Sequence, residues 1–115
     1  MTSARYSRDE TRSYWTEQAK NHGVSSAASW SDAPMMELEL RTIGSHIQPG
    51  NRILDVGCAS GATTIGYARD FGAQVFGIDY VPEMVNAARQ RLDLEDLQTK
   101  SQVSFAVGDV AALPF

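Results

Sequence analysis

Apolar residues recur along this chain at two different periods, and the change between them sets out its elements. Residues 1–7 are polar and read as a frayed end. From Arg8 to about Lys20 a helix is expected, with Tyr14, Trp15 and Ala19 on its apolar side. Asn21 to Ser31 is rich in Gly, Ser and Ala and reads as a loop with one large anchor, Trp30. Ser31 or Asp32 then caps a second helix, with Pro34 tolerated in its first turn. In it Met36, Leu40, Ile43 and Ile47 fall at i, i+4, i+7 and i+11, and Pro49-Gly50 stops it.

Beyond that stop the pattern alternates short apolar runs with helical stretches. Arg52–Val56 reads as a strand, Ala62–Phe71 as a helix closed by Gly72, and Gln74–Ile78 as a second strand ending at Asp79. Pro82 opens a helix with Met84, Val85, Ala88 and Leu92 as its buried stripe. Residues 94–101 read as a frayed extension of that helix, and Val103–Val107 as a third strand before Gly108-Asp109. Strand–helix–strand–helix–strand at this spacing implies right-handed crossovers and a parallel α/β sheet. The run Ala111 to Phe115 brings no fourth strand, so one apolar sheet edge is expected to stay open. The expectation is a fragment of a longer protein, or a chain completed by a partner, such as a homodimer through that edge.

Composition narrows the picture. At 115 residues the chain makes one domain at most. A net charge of −4 argues against nucleic-acid or membrane-surface binding driven by charge. One cysteine, Cys58, excludes an internal disulfide, and two separated histidines, His22 and His46, do not read as a metal site. No apolar run reaches membrane-spanning length and the start lacks a signal-peptide pattern, so a soluble cytoplasmic chain is expected.

The chemistry gathers at three strand ends. Gly57 and Gly61 bracket a turn from the first strand into a helix, where backbone N–H groups and the helix dipole suit a carboxylate or phosphate. A dinucleotide fingerprint counted from Gly57 would place glycines where this chain has Ala59 and Ala62, and the Lys-Ser/Thr pair of a P-loop is absent. A nicotinamide-dependent oxidoreductase is therefore disfavoured. Asp79, at the end of the second strand, is placed to accept from two ribose hydroxyls. Asp109 stands at the matching edge after the third strand, where an acid accepts from an exocyclic amine. With Asp55, three adjacent strand ends each deliver an acid. Blander roles exist for all of these: Asp79 as a helix cap, Asp109 as a turn residue, Cys58 as a small buried side chain. Likewise His46 reads as a surface residue, Tyr14, Trp15 and Trp30 as packing anchors, and Arg89-Gln90-Arg91 as a solvated helix face.

Ile-Leu-Asp-Val-Gly-Cys-Ala-Ser-Gly (53–61) resembles motif I of class I S-adenosylmethionine-dependent methyltransferases. Residues 75–89 resemble that family's second strand and following helix, and 105–115 the segment after its third strand. The resemblance implies a Rossmann-like three-layer sandwich, of which this chain holds the first half in strand order 3-2-1. It divides the chain into an N-terminal helical cap (1–50) and the cofactor half of the methyltransferase domain (51–115). It further implies S-adenosyl-L-methionine as cofactor, S-adenosyl-L-homocysteine as its product, and a small-molecule methyl acceptor. Carried over by position, Asp55, Gly57, Cys58, Ala59 and Gly61 would surround the methionine portion. Asp79 would hold the ribose, Tyr80 and Val81 would flank the adenine, and Asp109 with Val110 would read its edge. Ala59 stands where the family often has glycine. The resemblance assigns no catalytic residue, and it implies that the fragment alone is inactive. The alternative is a non-catalytic half-domain that binds or assembles through its open sheet edge.

Overall fold

The computed structural model describes residues 6–23 and 32–113. Trp30, Pro114 and Phe115, on which some expectations fell, lie outside them. Helix α1 spans Arg8–His22, α2 Ala33–Gly44, α3 Ala62–Phe71, α4 Pro82–Asp93 and α5 Leu97–Gln102; the strands are β1 Arg52–Val56, β2 Gln74–Asp79 and β3 Val103–Val107.

Local chemistry explains most boundaries. Ser7 belongs to the ordered structure: its hydroxyl accepts from the Glu10 N–H while its own N–H donates to the Glu10 carboxylate, a capping box that starts α1. Asp32 caps α2 through the Met35 N–H at 3.1 Å. That helix ends at Gly44, before the apolar face expected to run to Ile47 is complete. Leu40 and Gly44 are buried while Ile43 faces outward, so the packed face runs through Met36, Leu40 and Gly44. Gly44 and Gly66 let α2 and α3 approach: a Cβ on Gly66 would lie 2.9 Å from Leu40, and one on Gly44 would meet the Phe71 ring.

The stretch 94–101 is not a frayed extension of α4. Leu94 ends that helix, and Asp96 accepts from the Thr99 N–H at 2.8 Å to start α5 as a separate turn of helix. A polar stretch without apolar period carries little tertiary signal, so the cap residue alone decided the break.

The strands pair in parallel in the order β1-β2-β3, which places β2 in the centre. Ile53, Val75 and Val103 stand in one row, and Asp55, Gly77 and Phe105 in the next. Ile53, Val75, Val103 and Phe105 share one core with Ile65, Val85 and Ala88 from α3 and α4. Both crossover helices therefore cover the same sheet face, as two right-handed crossovers in one direction require. Leu54 and Val56 belong to the opposite face and stay 42% and 43% exposed. Burial of the β2 residues makes its pattern nearly continuous, as expected of a central parallel strand. Among the described residues no helix is long and apolar enough to cross a membrane.

Candidate functional site

The carboxyl ends of β1, β2 and β3 open on a trough, the place where open parallel sheets bind ligands. One hollow of about 340 Å³ is lined by Gly57, Asp79, Tyr80, Asp109 and Val110, with Tyr6, Arg8 and Thr11 from the N-terminal segment. A second, lined by Trp15, Ala59 and Met84, shares Gly57, Asp79 and Tyr80 with the first. A third, about 300 Å³, continues past Gly57 and Ala59 along the loop to Gly61, with Met36 and Glu39 of α2 on its other wall. Together they have the dimensions of a small-ligand site. A larger cavity of about 610 Å³ lies along Arg52–Leu54, Gln74–Phe76 and Ser101–Ser104, where it meets neither a carboxylate nor the glycine turn.

The loop after β1 is pinned to the end of β2. Gly57 and Cys58 both donate their N–H to the Ile78 carbonyl, at 2.7 and 3.0 Å. Asp79, 8% exposed, then holds the next residue: one carboxylate oxygen accepts from the Ala59 N–H at 2.9 Å, the other from the Val81 N–H at 3.0 Å. Ala59 needs that support, because it is the one non-glycine among the described residues with positive φ, +50°, at a cost of roughly 1 kcal/mol. Asp79 is thus not the cap of α4, whose N-cap position is Val81 and which has no side-chain cap. It is a clasp between two loops, and each oxygen keeps a lone pair for a ligand.

Gly57 and Gly61 serve different purposes. Gly57 has φ +75°, and a Cβ there would meet nothing within 4 Å, so its space belongs to the trough. Gly61 has φ +80°, and a Cβ there would lie 2.7 Å from Cζ of Phe105 and 3.0 Å from Cβ of Ala88. Gly61 caps α3 in the left-handed conformation without any side-chain bond, leaving the first N–H groups of that helix uncapped by a side chain.

Two expected site residues point elsewhere. The Asp55 carboxylate accepts from the Thr64 hydroxyl at 2.7 Å and is not among the groups lining the trough. Val81 is fully buried in a cluster with Ala19 and Met84, against which Trp15, Ala59 and Tyr80 pack, and it does not line the trough. Cys58 lines the trough by its position in the loop while its thiol is buried; burial first, then Asp79 and Asp55, push its pKa far up, so it is an inert thiol. Asp109 does make a turn, accepting from the Ala111 N–H at 2.9 Å, and also lines the trough, where Arg8 of α1 forms an ion pair with its other oxygen.

Burial raises the Asp55 pKa, against the opposing bond from Thr64. A carboxyl with a folded pKa above its unfolded one favours folding at low pH and loses that contribution as pH rises through the folded value. The expected result is that Asp55→Asn, which can still accept from Thr64, gains stability relative to the unmodified chain as pH rises above the ordinary carboxylate range. Thermal unfolding of both proteins through and above that range checks it.

The sequence pattern missed several groups. Arg91 is half-buried and donates to the Ser60 carbonyl at 3.2 Å, and Arg89 to the Phe105 carbonyl at 3.0 Å. The pair ties α4 to the loop and to β3; Arg89 and Gln90 stay exposed, as a solvated face would have them, and only Arg91 is drawn in. Arg8, Arg12, Trp15 and Ala19 share one side of α1 at i, i+4, i+7 and i+11, a spacing that was available to read. Arg12 lies over the Tyr80 ring at 5.4 Å, Trp15 reaches the trough, and Ala19 is buried below. Tyr14 is exposed, stacked edge-on against Trp15 at 4.9 Å, and is no anchor. His46 is exposed, as expected.

A parallel β1-β2-β3 half-sheet with helices on one face, a glycine turn after the first strand and acids at the ends of the next two defines a Rossmann-like ligand-binding unit of the methyltransferase type. Residues 53–115 match the methyltransferase-domain family, more than half of the chain, and the chain belongs to that family. It is similar to the magnesium-protoporphyrin O-methyltransferase of Rhodobacter capsulatus, 42% identical over 62 residues, 54% of this chain and 26% of that protein. It also matches the 23S rRNA (uracil(1939)-C(5))-methyltransferase of a Shewanella strain, 42% identical over 65 residues, 56% of this chain and 14% of that protein. Among solved structures, a SAM-dependent methyltransferase from Thiobacillus denitrificans in complex with S-adenosyl-L-homocysteine superposes with a TM-score of 0.61 at 28% identity. That match covers 94% of this chain and 39% of the other. The match spans between 14% and 30% of the length of these and the other similar curated relatives.

The residues present fit the cofactor of this family. The space a Cβ of Gly57 would fill is open, Asp79 retains acceptor capacity on both oxygens, and the neighbouring hollows from Asp109 to the start of α3 share Gly57 in their walls.

Proposed function

We propose that this chain carries the cofactor-binding part of an S-adenosylmethionine-dependent methyltransferase that acts on a small molecule. The observation that carries the reading is Asp79: a nearly buried carboxylate, paired with no cation among the described residues, whose two oxygens already order both loops of the trough. In this reading Asp79 accepts from the two ribose hydroxyls. Tyr80 and Val110 border the adenine, and Asp109 accepts from its exocyclic amine once Arg8 yields or shares that oxygen. Gly57, Ala59 and Gly61 shape the wall beside the methionine portion, with Asp55 behind them as a positioning residue acting through Thr64. Trp15 and Met84 exclude water from the middle of the trough. When bound, the cofactor supplies an activated methyl group on a sulfonium; the chain's part is to hold it in one orientation. The net charge of −4 and the similarity to a porphyrin O-methyltransferase support a small-molecule acceptor over RNA.

Isothermal titration of the 115-residue chain with S-adenosyl-L-homocysteine tests the site. One-to-one binding is expected, with a dissociation constant on the order of micromolar from a few charge-assisted bonds. Absence of binding at millimolar ligand would overturn the reading. NADH serves as the competing ligand and is expected not to displace it.

A further inference from the structure

Helix α2 brings one more charge to the trough. Leu40 against Gly66, and Gly44 against Phe71, fix how α2 is rotated on α3. That rotation turns Met36 and Glu39, three residues apart, towards the loop between Gly57 and Thr63. The nearby Glu37 is neutralised by Arg41 at 2.7 Å. Glu39 has no ion pair and no hydrogen bond with any described residue, and its field reaches Asp55 at the end of β1. Facing it across the hollow is the start of α3, whose first N–H groups no side chain caps. An unpaired carboxylate opposite a helix amino end is complementary to a zwitterionic amino acid, with its ammonium on one side and its carboxylate on the other.

We propose that Glu39 is the ammonium acceptor for the amino-acid head of the ligand bound in this trough, and that it makes the site prefer ligands carrying that head over bare nucleosides. The inference rests on the cofactor reading above and adds to it a residue from outside the matched region 53–115.

The test is calorimetric titration of the unmodified chain and of Glu39→Gln with two probes. S-adenosyl-L-homocysteine carries the amino-acid head; 5′-methylthioadenosine has the same nucleoside and a thioether but lacks it. Glu39→Gln is expected to weaken S-adenosyl-L-homocysteine about tenfold, the loss of one charge-assisted bond, and to leave 5′-methylthioadenosine unchanged. Glu39→Asp, which keeps the charge on a shorter arm, is expected to recover part of the loss. In the unmodified chain, added salt is expected to weaken the first probe more than the second. Equal affinity of Glu39→Gln and the unmodified chain for S-adenosyl-L-homocysteine would overturn the proposal, as would an equal loss for both probes. Failure of the unmodified chain to bind either probe would instead overturn the cofactor reading on which the proposal stands.

Discussion

Replacing Asp79 by asparagine is expected to lower affinity for S-adenosyl-L-homocysteine by about a hundredfold or more, and to lower that for 5′-methylthioadenosine as strongly. The carboxylate accepts from the Ala59 and Val81 N–H groups at 2.9 and 3.0 Å. An asparagine offers one oxygen; its NH2 group must face one of those donors, leaving a nearly buried N–H opposed by another N–H. Charge-assisted hydrogen bonds are worth roughly 1.5–3 kcal/mol each, so the loss of one loop contact and of the charge towards the ribose amounts to about 3 kcal/mol or more. The loop would suffer as well, because Ala59 holds a left-handed conformation that the Asp79 bond helps to keep. Calorimetric titration and thermal unfolding of Asp79→Asn measure both effects. The parallel loss for the two ligands separates Asp79 from Glu39, whose removal touches only the ligand with an amino-acid head. Affinity within threefold of the unmodified chain would rule out the role given to Asp79.

The second large effect concerns stability. Gly61→Ala is expected to destabilise the chain by about 2–4 kcal/mol, from the left-handed backbone and from overpacking. The new methyl would lie 2.7 Å from Cζ and 3.1 Å from Cε1 of Phe105, and 3.0 Å from Cβ of Ala88. Phe105 cannot simply retreat. It is 7% exposed, and its Cδ1 already stands 2.7 Å from where a Cβ of Gly77 would be. Phe105→Ala alone is expected to cost about 3–5 kcal/mol through the cavity it leaves. The two sites should therefore couple. In a Phe105→Leu background, whose side chain lacks the distal ring atoms, Gly61→Ala should cost only about 1–2 kcal/mol. A cycle of chemical denaturation on the four proteins reads this coupling, and additive costs would show that Phe105 is not what excludes a side chain at position 61.

The elements near the sheet were legible because their signals are local. Pro82 at a helix start, Gly72 past a helix end and the runs Arg52–Val56 and Val103–Val107 act within a few residues of themselves, and the structure has those boundaries. Spacing also conveyed the parallel order, since a helix between two strands leaves few other connections. The loop, Asp79, Tyr80, Asp109 and Val110 do meet at one trough. The direction of a side chain was less accessible. Asp55 turns to Thr64, Val81 sinks between Ala19 and Met84, and Arg91 reaches back to Ser60, each because of a partner from another element.

What the sequence by itself determined, then, is the chain of elements, their parallel arrangement, and the strand ends where a glycine turn and acids gather. Those properties follow from backbone conformation and periodicity, which few neighbours settle. Only the tertiary structure decided which faces of α1 and α2 look into the trough. The close approach of α2 to α3 at Gly44 and Gly66 sets Glu39, itself exposed, on the wall of the hollow beside the glycine loop. The Arg8–Asp109 pair and the stacking of Arg12 on Tyr80 hold α1 over the other end. A helix's own period shows that it has a polar side and an apolar side; which polar residue meets the ligand is set by the packing of the helix beneath it.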